Sequence, residues 1–216
     1  MIFSSVIFVF FFLPVVLLLH LLLPPRFRNI FLLFASVLFY AWGEVRFLWV
    51  MFASCILDFV AGWMMEREFR RLSADGEARR LCRRTPLQRM ALIGSIVGNL
   101  SLLVFFKYSH FLVDNVNQLA RILGLSPCAV NFTVQFALPL GISFYTFQSL
   151  SYSIDVYRGV TPATRKLADY FCFVTLFPQL IAGPIVRYTD VAQALASRIL
   201  SREAFASGVR LFIIGL

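Results

Sequence analysis

Apolar residues along this chain come in long runs separated by short charged turns, without the strict alternation of a half-buried strand. The runs cover residues 2–23, 29–45, 47–65, 90–106 and 134–154. Each holds about 17 to 22 residues, close to the roughly 20 that a helix needs to cross about 30 Å of hydrocarbon. The second run is plainly apolar only as far as Trp42 and reaches span length by including the turn that follows. The pattern predicts an all-α fold, a polytopic membrane helical bundle forming a single membrane domain over residues 1–216.

Two segments break the pattern. In HFLVDNVNQLARILGL, residues Leu112, Val116, Leu119 and Leu123 share one helical face, while Asp114, Asn115, Asn117, Gln118 and Arg121 occupy the rest. That distribution predicts an interfacial helix over about 110–123. Residues 170–186 are apolar but contain Pro178 and the pair Gly183-Pro184, which interrupt the backbone ladder a spanning helix requires. Irregular backbone at membrane depth is tolerated only against protein or a water-filled cavity, so a re-entrant segment is expected there. A further apolar helix begins near residue 205 and is expected to run beyond Leu216.

The fifth run carries its polar residues in order. Gly141, Tyr145, Gln148, Tyr152 and Asp155 follow one another at steps of four, three, four and three, one stripe of a helix. Such a stripe avoids lipid, where each unsatisfied polar group costs several kcal/mol. It faces protein or water, either as hydrogen-bonding glue between helices or as the wall of a polar tunnel.

Composition settles the solvent. Hydrophobic residues make up 60% of the chain against 14% charged, with 25 phenylalanines, too little polar surface for a soluble domain of 216 residues. The net charge of +9 does not point to nucleic acid, because the arginines cluster between apolar runs and not along one amphipathic face. The loop 66–89 alone carries eight arginines (Arg67, Arg70, Arg71, Arg79, Arg80, Arg83, Arg84 and Arg89) against four acids. The positive-inside bias therefore makes it cytoplasmic, and alternation then puts the N-terminus outside. Arg158, Arg165 and Lys166 fall inside by the same count, and Arg187, Arg198 and Arg202 join them only if 170–186 turns back. The first run lacks a basic leader and is too long for a signal peptide, so it reads as a span. A bacterial inner membrane protein is the expected setting.

Candidate chemistry is sparse. Cys55, Cys82, Cys128 and Cys172 stand far apart with no metal-ligand or redox spacing, and are expected to be free thiols. His20 and His110 have no sequence partner of a general base and read as structural. Asp58 lies inside the third run, where a carboxylate costs about 2.5–3.5 kcal/mol to insert, so it is expected to face the bundle interior as a possible intramembrane polar site. Asp155 and Arg158, three residues apart, suit a local ion pair at a helix end or a gate at the cytoplasmic mouth.

The stretches FYAWGEVRFL, FFKYSHF, PLGISFYTFQSLSYSIDVYRG and FPQLIAGPIVRY, in this order and at these separations, resemble the N-terminal half of the membrane-bound O-acyltransferase family, and the resemblance runs from Met1 to Leu216. It implies a multi-helix enzyme that passes an acyl group from a cytoplasmic donor through a tunnel to an acceptor at the outer face. In the polysaccharide-modifying branch the group is acetyl and the donor is acetyl-CoA or another acyl donor, a substrate and not a bound cofactor. The partners implied are the donor, the lipid bilayer and periplasmic or extracellular proteins that acetylate a polysaccharide such as alginate. The candidate tunnel or donor-lining residues are Tyr145, Gln148, Tyr152, Asp155, Gln179 and Arg187. The family's histidine regarded as catalytic has no match here and is expected beyond Leu216, so these 216 residues alone are expected to be inactive. Two rival expectations are a non-catalytic remnant and a component of transport or export, the latter because broken helices and polar stripes also mark transport pathways.

Overall fold

A computed structural model of the chain describes residues 5–72, 84–124, 139–180, 186–196 and 201–215, apart from the side chains of His110, Leu112 and Ala196. Cys82, Cys128, most of the basic loop, the start of the fifth run and the pair Gly183-Pro184 lie outside the described residues. Among the described residues the structure is helical, with no strand.

The helices follow the chain as α1 (Leu13–Leu22), α2 (Pro25–Glu44), α3 (Leu48–Leu72), α4 (Pro86–Ile122), α5 (Ile142–Arg158), α6 (Leu167–Thr175), α7 (Phe177–Leu180), α8 (Tyr188–Ala196) and α9 (Arg202–Gly215). A π-helical turn, Phe8–Phe12, precedes α1. Pro14 explains it: the ring lacks an N–H and crowds the preceding turn, and the backbone widens to make room. Pro25 opens α2 at a position where its missing N–H costs nothing. Between α2 and α3 the backbone leaves the helical region at Glu44 and makes one 3-10 turn, Val45–Phe47. Thr85 caps α4 through a reciprocal capping box with Gln88.

Helix lengths depart from the sequence reading in three places. α4 is one uninterrupted rod of 37 residues, about 55 Å long. The segment expected as a separate interfacial helix is its C-terminal part, because no glycine or proline between Phe106 and Ile122 stops the helix before Gly124, which has φ +66°. α3 runs on to Leu72, so Glu66 is helical and buried where the first residue of a loop was expected. Among the described residues of the fifth run, the helix begins at Ile142, after a turn in which Gly141 has φ +73°. Among the described residues two stretches, Pro25–Arg71 and Pro86–Ser109, are long and apolar enough to cross a membrane, and Phe8–Leu22 forms a shorter apolar helix.

α5 lies at the centre, packed against α3 and α4 on one side and against α6 and α7 on the other. The main core joins Tyr40, Met51, Met65, Phe106, Tyr145, Tyr152, Tyr170 and Phe173. A second cluster of rings, Phe8, Phe12, Phe39 and Phe177, fixes the first helix and α7 to α2 at centroid distances of 5.5–6.0 Å. α9 buries none of its described residues.

The two ends of the bundle are chemically distinct. At one end Glu44 Oε2 accepts from the Leu140 backbone N–H at 2.6 Å, tying the end of α2 to the turn before α5. At the other end Glu66 accepts from Arg70 Nε at 3.0 Å and from the Ala163 N–H at 3.2 Å. There Arg84 stacks over Phe69 and Tyr157 and donates to the Arg158 carbonyl at 2.8 Å.

Candidate functional site at the buried polar seam

Asp58 is fully buried at the middle of α3 and is the hub of a polar cluster joining three helices. Asn99 Nδ2 donates to both of its carboxylate oxygens at 2.8 Å, and the Ser95 hydroxyl donates to Oδ1. Ser153 on α5 reaches Oδ1 at 3.4 Å and lies 3.1 Å from the Ser95 hydroxyl. Ser54, one turn before Asp58, donates to Asn99 Oδ1 at 2.6 Å. The expectation that Asp58 faces inward holds in the fold. Its partners on α4 were not singled out in the sequence, although Ser54 with Asp58, and Ser95 with Asn99, stand four residues apart in otherwise apolar helices.

From Tyr145 to Asp155 the stripe on α5 is buried. Gln148 Nε2 donates to the Phe173 carbonyl at 2.9 Å and to Gln179 Oε1 at 3.2 Å, so two candidate residues from distant stretches meet. Tyr152 accepts at Oη from the Thr164 N–H at 3.1 Å, and its ring packs on Tyr170 at 4.7 Å and on Tyr188 at 5.1 Å. Gly62 is required opposite it, since an added Cβ would stand 2.9 Å from the Tyr152 hydroxyl. Burial raises the Tyr188 phenol above its ordinary value.

Two stripe residues keep polar atoms without a hydrogen-bond partner among the described residues: Tyr145 Oη and Asp155 Oδ2. The ion pair expected between Asp155 and Arg158 does not form. Arg158 is exposed at the last turn of α5, its carbonyl is taken by Arg84, and Asp155 turns inward instead. Arg187 stands exposed just before α8, apart from the buried seam. Cys55 and Cys172 are buried and form no disulfide among the described residues.

FPQL, the first turn of the interrupted stretch, is seated by three contacts. The Phe177 N–H donates to Ser36 Oγ at 3.2 Å, Gln179 meets Gln148, and the Leu180 carbonyl lies directly against Gly141. Before and after this turn the chain returns to one residue. Asn29 Nδ2 donates to Asp169 Oδ1 at the start of α6 at 2.7 Å and to the Leu195 carbonyl on α8 at 2.9 Å. From Asp169 the chain thus travels beside α2 toward its Glu44 end, and by Leu195 it is back at the Asn29 end.

A separate apolar groove of about 370 Å³ opens between the first helix and α2, lined by Phe11, Val15, Phe34, Leu38 and Trp42 among others. It offers dispersion contacts and carries no candidate residue.

Comparison with known proteins shows what the chain is similar to. The whole chain aligns with a probable alginate O-acetylase of Pseudomonas syringae pv. tomato at 42% identity, covering 38% of that protein, and with one of Azotobacter vinelandii at 41%, covering 40%. The chain is thus similar, over its whole length, to part of proteins named alginate O-acetylase. A peptidoglycan O-acetyltransferase of Helicobacter pylori also aligns with the whole chain, at 28% identity over 43% of its own length. The O-acyltransferase resemblance carried by the four motifs is thereby borne out. The chain spans about two fifths of the length of the curated relatives it matches. No family model matches the chain, and no solved structure matches it at a significant level.

Proposed function

We propose that this chain forms the N-terminal part of a membrane O-acetyltransferase that modifies an exported polysaccharide. The reaction is transfer of an acetyl group from a cytoplasmic thioester, acetyl-CoA or another acyl donor, to a polymer hydroxyl: the thioester C–S bond breaks, an ester C–O bond forms, and the hydroxyl proton leaves with the thiol. The observation that supports this reading is identity of 39–42%, over the whole of this chain, to part of proteins named alginate O-acetylase, with the peptidoglycan enzyme as a more distant relative.

The finer parts of the proposal rest on the geometry. Orphan atoms on Tyr145 and Asp155 support a polar tunnel along α5, since buried groups normally find partners. Gln148 and Gln179 join its wall to the interrupted stretch. The return of the chain to Asn29 supports a re-entrant α6–α8 excursion, because α6 with 9 residues and α7 with 4 are each too short to cross hydrocarbon. The basic loop marks the cytoplasmic end, where Arg84, Arg158 and Glu66 gather. Arg187 is the proposed contact for the donor's phosphates. The catalytic base is proposed to lie outside these residues, and acetylating proteins beyond the membrane to be its partners.

Deleting the encoding gene and measuring ester-linked acetate on the exported polysaccharide tests the proposal. Loss of acetate, restored by complementation, is expected. Unchanged acetylation with intact export overturns it.

A further inference from the structure

We infer that the Asp58 cluster is a binding site for a small monovalent cation, sodium being the ion of fitting charge and chemistry. A carboxylate removed from water requires a partner of opposite charge or a proton, because the cost of leaving it bare inside the bundle is several kcal/mol. No lysine, arginine or histidine among the described residues pairs with Asp58; the salt bridge those residues hold is Arg70–Glu66, at the bundle end. Around Asp58 stand the hydroxyl oxygens of Ser95 and Ser153 and the Asn99 side-chain amide, whose nitrogen donates to both carboxylate oxygens.

A second observation points to a ligand. The Ser149 hydroxyl stands close to both the Asp58 carboxylate and the Tyr170 phenol, but neither contact has ordinary hydrogen-bond geometry, and Ser149 Oγ and Tyr170 Oη are buried with no better partner among the described residues. Both residues are 0% exposed. Hydroxyl oxygens have lone pairs to offer a cation, and five oxygen-bearing side chains from α3, α4, α5 and α6 converge here: Asp58, Ser95, Ser149, Ser153 and Tyr170. A hard, oxygen-seeking ion suits them. The charge favours a monovalent ion, since one carboxylate would leave a divalent ion half compensated in a low-dielectric interior. This site is independent of the acyl-transfer reading.

Thermal unfolding of the protein in detergent tests it, with NaCl titrated against choline chloride at constant ionic strength. A saturable rise in Tm is expected, about 3–6 °C at roughly ten times the half-saturating concentration. Asp58→Asn keeps the shape and removes the charge, and is expected to abolish the response. If that variant does not fold, Ser149→Ala serves instead: its hydroxyl makes no well-formed hydrogen bond among the described residues, so the fold is expected to persist while the half-saturating Na⁺ concentration rises several-fold. Equal Tm in both salts overturns the site and leaves a proton as the neutralising partner. A sodium response that survives unchanged in Asp58→Asn or Ser149→Ala overturns it as well.

Discussion

The side-chain amide of Asn29 donates to the carboxylate of Asp169 at 2.7 Å, a contact between residues 140 positions apart. The same amide nitrogen holds the Leu195 carbonyl, so one residue on α2 clasps both arms of the α6–α8 excursion. Asn29→Ala is expected to destabilise the protein by about 1–3 kcal/mol, because a partly buried carboxylate and a carbonyl lose their donor together. Unfolding in detergent measures it, and a loss below about 0.5 kcal/mol would show that water replaces the clasp at no cost.

Gly141 is expected to tolerate no side chain. Its φ of +73° disfavours any L-residue, and a Cβ would collide with the Leu180 backbone carbonyl, which cannot swing aside as a side chain does. Gly141→Ala should cost more than about 2 kcal/mol. Gly208→Ala, in α9 with open space around it, should be neutral or stabilising by up to about 1 kcal/mol. Comparing Tm and folded yield of the two variants checks this, and similar values would mean that the α5–α7 contact yields easily.

The two tyrosines of the stripe should respond in opposite ways. Tyr152→Phe removes the acceptor of the Thr164 N–H and should cost about 1 kcal/mol of stability. Tyr145→Phe removes a hydroxyl with no described partner, and stability should hold or rise slightly. Under the tunnel proposal Tyr145→Phe nevertheless lowers acetyl transfer. Full activity in a stable Tyr145→Phe protein would assign the stripe to helix packing alone.

Orientation is open to direct labelling. In a cysteine-free background, Trp42→Cys and Arg71→Cys place single thiols at exposed positions near opposite ends of the α2–α3 hairpin. An impermeant maleimide added to intact cells should modify the first and spare the second until the membrane is opened. Reversed labelling would invert the proposed topology.

For Arg187 the expected effect is on the donor. Arg187→Gln in the protein carrying this segment should weaken apparent acetyl-CoA affinity about tenfold, the worth of one charge-assisted hydrogen bond to phosphate. Membrane insertion should persist. Unchanged donor affinity in a well-folded variant would leave the guanidinium a headgroup anchor.

Legibility in the sequence followed the range of the interactions. The helical class and the inward face of α5 were readable because apolar runs and the stripe from Tyr145 to Asp155 are local periodicities. Asp58 stood out because a carboxylate in an apolar run has few places to go. Its partners did not, since a serine and an asparagine on α4 are unremarkable until packing brings them to α3. Helix ends were the weakest reading. The rod through Phe106 has no chemical breaker, and the end of the apolar run at residue 106 resembled a boundary that the backbone does not make. The Asp155–Arg158 pair failed for a related reason: three-residue spacing permits a contact, but the buried side of α5 takes Asp155 and leaves Arg158 to Arg84.

The spacing of these polar contacts along the chain also sets an order of assembly during synthesis. Asp58 meets Ser95 and Asn99 after 37 and 41 residues, so the α3–α4 hairpin can hide its carboxylate soon after both helices emerge. Glu44 must wait 96 residues for the Leu140 N–H, and Asn29 waits 140 and then 166 residues for its two acceptors. At translation rates of about 5–20 residues per second, α2 spends on the order of ten seconds in the bilayer with an uncommitted amide. Its early neighbours are the first helix and α3. The ring cluster of Phe8, Phe12 and Phe39 is therefore in place as a nursery for α2 long before Phe177 arrives to complete it.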